Sequence, residues 1–258
     1  MRIFRGFEKK ISLKSSWEIE ILRRANAIVM EVLLALKEMV KPGVSTWEFE
    51  EVAIKMCEKK GVKPAFKGYR GYPYALCISV NEEVVHGMPK KEKVLKEGDI
   101  VSFDFGVICE GYYGDAALTV GVGEISEEAE RLMKVTEEAL YKGIEKARYG
   151  NRVGDISWAI QSHVEDAGFN VIREFVGHGV GRNLHEPPEV PNYGRPGKGP
   201  RLEIGMVLAI EPMVSAGDYR VKILDDGWTA VTVDGSLSAH FEHSVVITPK
   251  GPEILSRV

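Results

Sequence analysis

The chain has 258 residues, room for one large domain or two small ones, and its 44% hydrophobic and 28% charged content is that of a soluble globular protein. A net charge of −4 argues against a dedicated DNA or RNA binder, no apolar run reaches the roughly 18 residues of a membrane span, and residues 1–10 lack the apolar segment of a secretory signal. The cysteines Cys57, Cys77 and Cys109 are odd in number and have no metal-like spacing, so buried thiols in a reduced, cytoplasmic setting are expected.

In chain order, Ser15-x-x-Glu18 reads as a capping box that opens an apolar-periodic helix to about Val40, ended by Lys41-Pro-Gly43. Ser45-x-x-Glu48 opens a second helix to Gly61. Residues 74–120 are β-rich, and 100–109 and 112–119 form a hairpin about a turn at Glu110-Gly111. Ser126 opens a third helix to about Ala147, broken by Tyr149-Gly-Asn151; Asp155 is expected to cap a fourth that ends near Gly168. Strand-like text returns over 171–177 and 204–248, with turn signals at Asp225-Asp-Gly227 and Asp234-Gly235. Helix, helix and strands therefore occur twice. This predicts an α/β (α+β) fold with pseudo-twofold symmetry, its helices covering one curved antiparallel sheet. The chain is expected to be one domain over 1–258, with halves of about 15–120 and 121–248.

Four acids interrupt the apolar strand text: Asp104, Asp115, Glu211 and Glu242. His178 lies in the glycine-dense run Gly177-His-Gly-Val-Gly181, where three glycines imply close backbone approach. Carboxylates on core-facing strands are costly unless neutralised, and two divalent cations would cancel four of them. In the hairpin, Asp115 should face Gly106, which shares a strand face with Asp104. The two aspartates are then diagonal neighbours, roughly 5–8 Å apart at Cβ, which suits one carboxylate on a single ion and another bridging two. Gly106 and Gly114 read as room for cations and water. The bland alternative is a pair of hairpin acids facing solvent. Of the other histidines, His240 shares a strand face with Glu242 and could stand behind the ligands, His243 points away, and His163 is expected at the surface. Tyr69, Tyr72, Cys77 and Trp228 would also suit ordinary core. The triplet Asp104-Phe-Gly106 lacks the accompanying kinase loops, and the Gly177–Gly181 run lacks dinucleotide-binding spacing.

The stretch from Gly71 to Pro89, Asp104 with Asp115, Gly177-His-Gly-Val-Gly181, His185-Glu-Pro-Pro188, Ile210-Glu-Pro-Met213 and Phe241-Glu-His243 together resemble the type I methionine aminopeptidases of the short bacterial form. The resemblance spans the whole chain in order and spacing. It implies the "pita-bread" fold and removal of the initiator methionine from nascent chains whose second residue is small. It further implies Asp104 on one ion, His178 and Glu211 on the other, and Asp115 and Glu242 bridging, with Mn²⁺, Fe²⁺, Co²⁺ or Zn²⁺ all suited to this donor set. Glu211 would shuttle a proton, His185 would steady the scissile carbonyl oxygen, and His86 would contact the leaving nitrogen. The methionine pocket would use Phe66, Tyr69, Tyr72, Cys77, Leu184 and Trp228, with His86 and His185 beside the scissile bond. A monovalent cation (Na⁺ or K⁺) would lie at Asn81, Glu83 and Ser238.

The basic residues Lys59, Lys60, Lys63, Lys67 and Arg70, with a basic N-terminal stretch over 1–14, read as a solvated face; the resemblance adds a transient contact with ribosomal RNA. It also implies a monomer. Two readings compete: a proline-specific Xaa-Pro aminopeptidase or dipeptidase of the same fold, and a non-catalytic peptide-binding module on it. The short interval between His178 and Glu211 argues for type I over type II, and five intact candidate ligands argue against a degenerate module.

Overall fold

The computed structural model describes residues 10–257. Local hydrogen bonds set the helix starts. Helix α1 (Ser16–Met39) begins where the Ser15 hydroxyl accepts the Glu18 N–H and the Glu18 carboxylate accepts the Ser15 N–H, the reciprocal cap expected. At α2 (Thr46–Lys60) the Ser45 N–H donates to Glu48 at 2.9 Å, and Gly61 ends the helix at φ +67°. Ser126 caps α3 (Glu127–Lys146) through the Ala129 N–H. The fourth start corrects the sequence reading. Helix α4 (Val153–Asp166) begins before Asp155, which sits in its first turn and accepts the Arg152 N–H at 2.7 Å.

The strands are β1 (Lys63–Pro64), β2 (Leu76–Val80), β3 (Glu83–Val85), β4 (Ile100–Cys109) and β5 (Tyr112–Gly121) in the first half. The second half contributes β6 (Asn170–Val171), β7 (Val176–Gly179), β8 (Glu186–Pro191), β9 (Val207–Ile210) and β10 (Met213–Ser215). It continues with β11 (Val221–Ile223), β12 (Ala230–Thr232), β13 (Ser238–His240), β14 (His243–Thr248) and β15 (Gly251–Ile254). Among the described residues all pairings between these strands are antiparallel, and they fall into four sheets rather than one continuous sheet. Strand β4 carries β5 on one edge and β2 and β1 on the other; the remaining orders are β13-β10-β6, β11-β12-β3 and β15-β14-β9-β7-β8. Proline explains one division. Pro212 has no N–H for a ladder, and the chain changes ladders between β9 and β10 across Glu211-Pro212. It changes again between β13 and β14 across Phe241-Glu242. Two of the four acids therefore sit at strand breaks. Strand β8 was not expected, because its prolines suggest a loop; it is an edge strand, where proline is tolerated.

Among the described residues, the two largest apolar clusters lie one against each helix pair. Leu33, Leu36 and Phe49 pack on Phe103 and Phe105, while Leu132, Ile156 and Ile160 pack on Leu208 and Ile210, all 0% exposed. Each such side chain contributes about 1.5–3 kcal/mol on burial. Polar bonds cross between the halves: Glu242 N–H to Ala117 O at 2.9 Å, Tyr113 N–H to Gly181 O at 2.9 Å, and Ser244 Oγ to Asp115 O at 2.8 Å. The glycines beside the hairpin acids have a different use from the one expected. A Cβ on Gly114 would lie 2.7 Å from the Ala25 carbonyl carbon, so this glycine lets α1 approach β5. A Cβ on Gly106 would lie 3.0 Å from the Phe66 ring. Protein atoms fill the space assigned to cations and water.

Candidate metal centre

The hairpin register follows the turn. Gly106 stands opposite Asp115 and Asp104 opposite Ala117, so the two aspartates share one face as diagonal neighbours. The second half brings up the rest. His178 on β7 pairs with Ala209 on β9, Glu211 follows the end of β9, and Glu242 precedes β14. His178 Nε2 lies 3.4 Å from Glu211 Oε1 and 3.8 Å from Asp115 Oδ2. Donor atoms of Asp115, His178 and Glu242 fall within 4.8 Å of one another, as do those of Glu211, His240 and Glu242. Glu242 belongs to both groups. Asp104 belongs to neither, although the charges of Glu211 and His240 reach it. Asp115, His178 and Glu242 are buried while Asp104 and Glu211 are half-buried, so the cluster opens on their side.

The electrostatics are those of a site short of positive charge. Burial pushes Asp104 up to about 7 against the pull of His240, and pushes Glu211 to about 7 against His178. Burial also drives Asp115 and Glu242 well above the usual carboxylate range, and their acidic neighbours add to both shifts. Asp104 Oδ1, Asp115 Oδ1, Glu242 Oε1 and His240 Nε2 are buried without a hydrogen-bond partner. His178 Nδ1 lies 3.0 Å from Gly179 O, and a carbonyl only accepts, so Nδ1 carries the proton and the lone pair of Nε2 faces the acids. Hard oxygen donors, unpartnered, with one correctly presented imidazole, fit divalent cations.

Beside the acids lies an apolar cluster of Ala65, Phe66, Tyr72, Cys77, Met88 and Leu184, with Tyr69 and Trp228 packed on its margin. All six expected pocket residues are thus together. Cys77 on β2 stands directly opposite Asp104 on β4, so cluster and acids are contiguous. The Tyr72 hydroxyl reaches Leu76 O and Gly87 O, both at 3.0 Å. His86 adopts a left-handed backbone (φ +60°) and meets Phe175 edge-on at 5.2 Å and Trp228 at 6.4 Å. Burial, then His240, lowers its pKa to about 4. His185 stacks on Tyr69 at 5.3 Å, accepts or donates at Nδ1 to the Tyr69 hydroxyl at 2.8 Å, and lies 4.2 Å from the His178 ring. Burial, then His178, depresses its pKa to about 2.

Other expectations fared unevenly. Ser238 N–H donates to Asn81 O at 2.8 Å, whereas the Glu83 carboxylate already holds the Lys93 ammonium at 2.5 and 2.8 Å. His163, expected at the surface, is half-buried and lies 3.0 Å from Glu138 Oε2. His243 points away from the acids as expected, with Nδ1 at 2.9 Å from Ser256 Oγ. Sequence reasoning missed two buried polar supports. Asn26 in the α1 stripe accepts the Asp115 N–H at 3.2 Å, and Glu50 on α2 accepts the Ala75 and Leu76 N–H groups at 2.8 and 2.9 Å. Their signal was a polar residue in an apolar helical register.

The family model described as metallopeptidase family M24 matches residues 20–249. The chain belongs to metallopeptidase family M24. This M24 chain is 58% identical over 248 residues to the methionine aminopeptidase of Clostridium perfringens, covering 96% of the chain and 99% of that protein. It resembles the crystal structure of methionine aminopeptidase from Thermotoga maritima with a TM-score of 0.95 and 55% identity, covering 96% of this chain and 100% of that one. The prolidase of Pyrococcus horikoshii shares the fold with a TM-score of 0.77 at 24% identity, but this chain covers only 63% of its length. The pita-bread fold implied by the sequence is the fold of these M24 proteins.

Proposed function

We propose that this protein is a metal-dependent methionine aminopeptidase that removes the N-terminal methionine from nascent chains when the second residue is small. The observation that carries the reading is the contact between a sulfur- and aromatic-lined apolar cluster and the acid cluster, through the Cys77–Asp104 pairing. A thioether suits such walls, since sulfur–aromatic contacts contribute about 0.3–1.5 kcal/mol each. In this reading Asp104 would hold one divalent ion, His178 and Glu211 the other, and Asp115 and Glu242 both. Bound ions would supply Lewis acidity and lower the pKa of a bound water to about 7.

The chain's own groups would do the rest. Phe66, Tyr69, Tyr72, Cys77, Leu184 and Trp228 would orient the methionine side chain and exclude water. Glu211 would carry a proton from water to the leaving amine. His185 is neutral; with the Tyr69 hydroxyl donating to Nδ1, its proton sits on Nε2, available to the carbonyl oxygen. His86 would accompany the leaving nitrogen. A single catalytic domain, a monomer, a cytoplasmic site of action and a monovalent cation at the backbone of Asn81, Glu83 and Ser238 complete the proposal. Among the described residues, no helix is long and apolar enough to cross a membrane.

Metal analysis combined with cleavage of Met-Ala-Ser and Ala-Pro peptides tests this directly. Methionine release only with bound metal is expected; preference for the proline peptide would favour the prolidase-type reading. Lys59, Lys60, Lys63, Lys67 and Arg70 are all exposed, although Lys60 is paired with Glu31. The N-terminal basic residues before Lys10 lie outside the described residues. Charge reversal at Lys59, Lys60 and Lys63 should abolish a salt-sensitive ribosome contact; unchanged co-sedimentation would remove that part of the proposal.

A further inference from the structure

One buried ion pair lies outside the acid cluster. Lys14, just before α1, reaches Glu186 at the start of β8, with Nζ 2.6 Å from Oε2 and side chains 3% and 8% exposed. The partners are far apart in the chain and belong to different halves. The pair is well anchored. Lys14 Nζ also donates to Ser12 O at 3.2 Å, and the Lys14 N–H donates to Gly205 O at 2.7 Å. The second carboxylate oxygen, Glu186 Oε1, accepts the Asn183 N–H at 3.0 Å, and the Gly181 N–H donates to Asn183 O at 3.2 Å. The turn from Gly181 to Glu186 is thereby closed around a carboxylate that Lys14 neutralises. That turn carries Leu184 of the apolar cluster and His185, the stacking partner of Tyr69.

The third glycine of the Gly177–Gly181 run now has a reason. A Cβ on Gly181 would lie 2.5 Å from Lys14 Cε and 3.0 Å from both Lys14 Nζ and Glu186 Oε1. A side chain at this position would push the end of the lysine off its carboxylate partner. The other two glycines serve strand packing, with a Cβ on Gly177 2.4 Å from Ala209 O and one on Gly179 2.4 Å from Pro187 O.

We infer that Lys14 is a positioning residue: through Glu186 it fixes the turn that aims His185 at the scissile carbonyl and sets Leu184 in the pocket wall. The inference rests on the aminopeptidase reading above. A buried carboxylate that loses its ammonium must find water or a proton, and the turn that holds it opens to supply one. His185 would then lose its register on Tyr69.

The test is a double-mutant cycle on the metal-loaded full chain with a Met-Ala-Ser peptide. Lys14→Met should lower kcat at least tenfold with metal content unchanged, and Lys14→Arg should restore most of the loss. In a His185→Ala background the same Lys14→Met change should cost less than twofold, because the group it positions is gone. Equal costs in both backgrounds, or a wild-type kcat for Lys14→Met, would overturn the inference. If Lys14→Met does not fold, Glu186→Gln, which still accepts the Asn183 N–H, is read by the same two comparisons. Failure of the parent enzyme to cleave the peptide with metal bound would instead strike the aminopeptidase reading, so the two failures are distinguishable.

Discussion

Glu242→Gln abolishes metal-dependent turnover, lowering kcat/KM by about 10³-fold or more, and at the same time makes the metal-free protein more stable. The two effects share one cause. Glu242 is 2% exposed, Oε1 has no partner, and Asp115, Glu211 and Asp104 all raise its pKa. Without cations this carboxyl can stay buried among other acids only by holding a proton, and an isosteric amide needs none. With cations it is the one residue common to both groups of donors, and its loss forfeits several kcal/mol of transition-state stabilisation, at about 1.4 kcal/mol per factor of ten. Asp104→Ala should likewise end turnover while the fold survives. The pH dependence has a definite sign. These carboxyls bind protons more tightly in the folded than in the unfolded chain, where their pKa is about 4. For Asp104 and Glu211, with folded values of about 7, this contribution to metal-free stability is therefore complete below about pH 4 and is lost as pH rises through about 7. Since a cation must displace those protons, the rise in melting temperature on adding Mn²⁺ should be larger at about pH 8 than at about pH 6. Melting curves of both proteins, with chelator and with Mn²⁺, check each part. Wild-type turnover by either variant at limiting metal would end the ligand assignment.

How far the site could be read from sequence depended on the range of the interactions involved. The Asp104–Asp115 relation was legible because a two-residue turn fixes every opposing pair of a hairpin, and the register of β4 and β5 obeys that arithmetic. The helix starts at Ser15 and Ser45 were legible for the same local reason. The capping residue at α4 was misplaced because an acid three residues into a capping box looks like a cap. What escaped was set by packing at a distance. Nothing local indicates that Gly114 answers to the backbone of Ala25, or that Gly181 answers to the stem of Lys14. The cost of four acids in apolar text pointed only to a common neutraliser, and the place of His178, Glu211 and Glu242 beside the hairpin acids came from the family resemblance. Neither gives the detailed geometry. Accordingly neither foresaw that His240 Nε2 lies 3.6 Å from Glu211 Oε2, nor that Asp104 stands apart from both compact donor groups.

His185→Ala should lower kcat by about 10²–10³-fold with KM little changed, the loss typical of a single oxyanion donor. An imidazole whose pKa is depressed to about 2 is neutral at every working pH, so it offers one N–H and no charge. Which nitrogen bears that proton is decided by Tyr69, 2.8 Å from Nδ1 and stacked on the ring. If the phenol donates, Nε2–H is free for the substrate oxygen, and that bond strengthens as charge develops there. Tyr69→Phe keeps the stacking and removes the donor, so it should retain KM and lose part of the same kcat. The pairing of the two variants is what gives the test its force. A KM effect in His185→Ala with kcat intact would make the residue a simple binding contact. An undiminished kcat in Tyr69→Phe alone would show that the ring's orientation, rather than its tautomer, is what the tyrosine supplies.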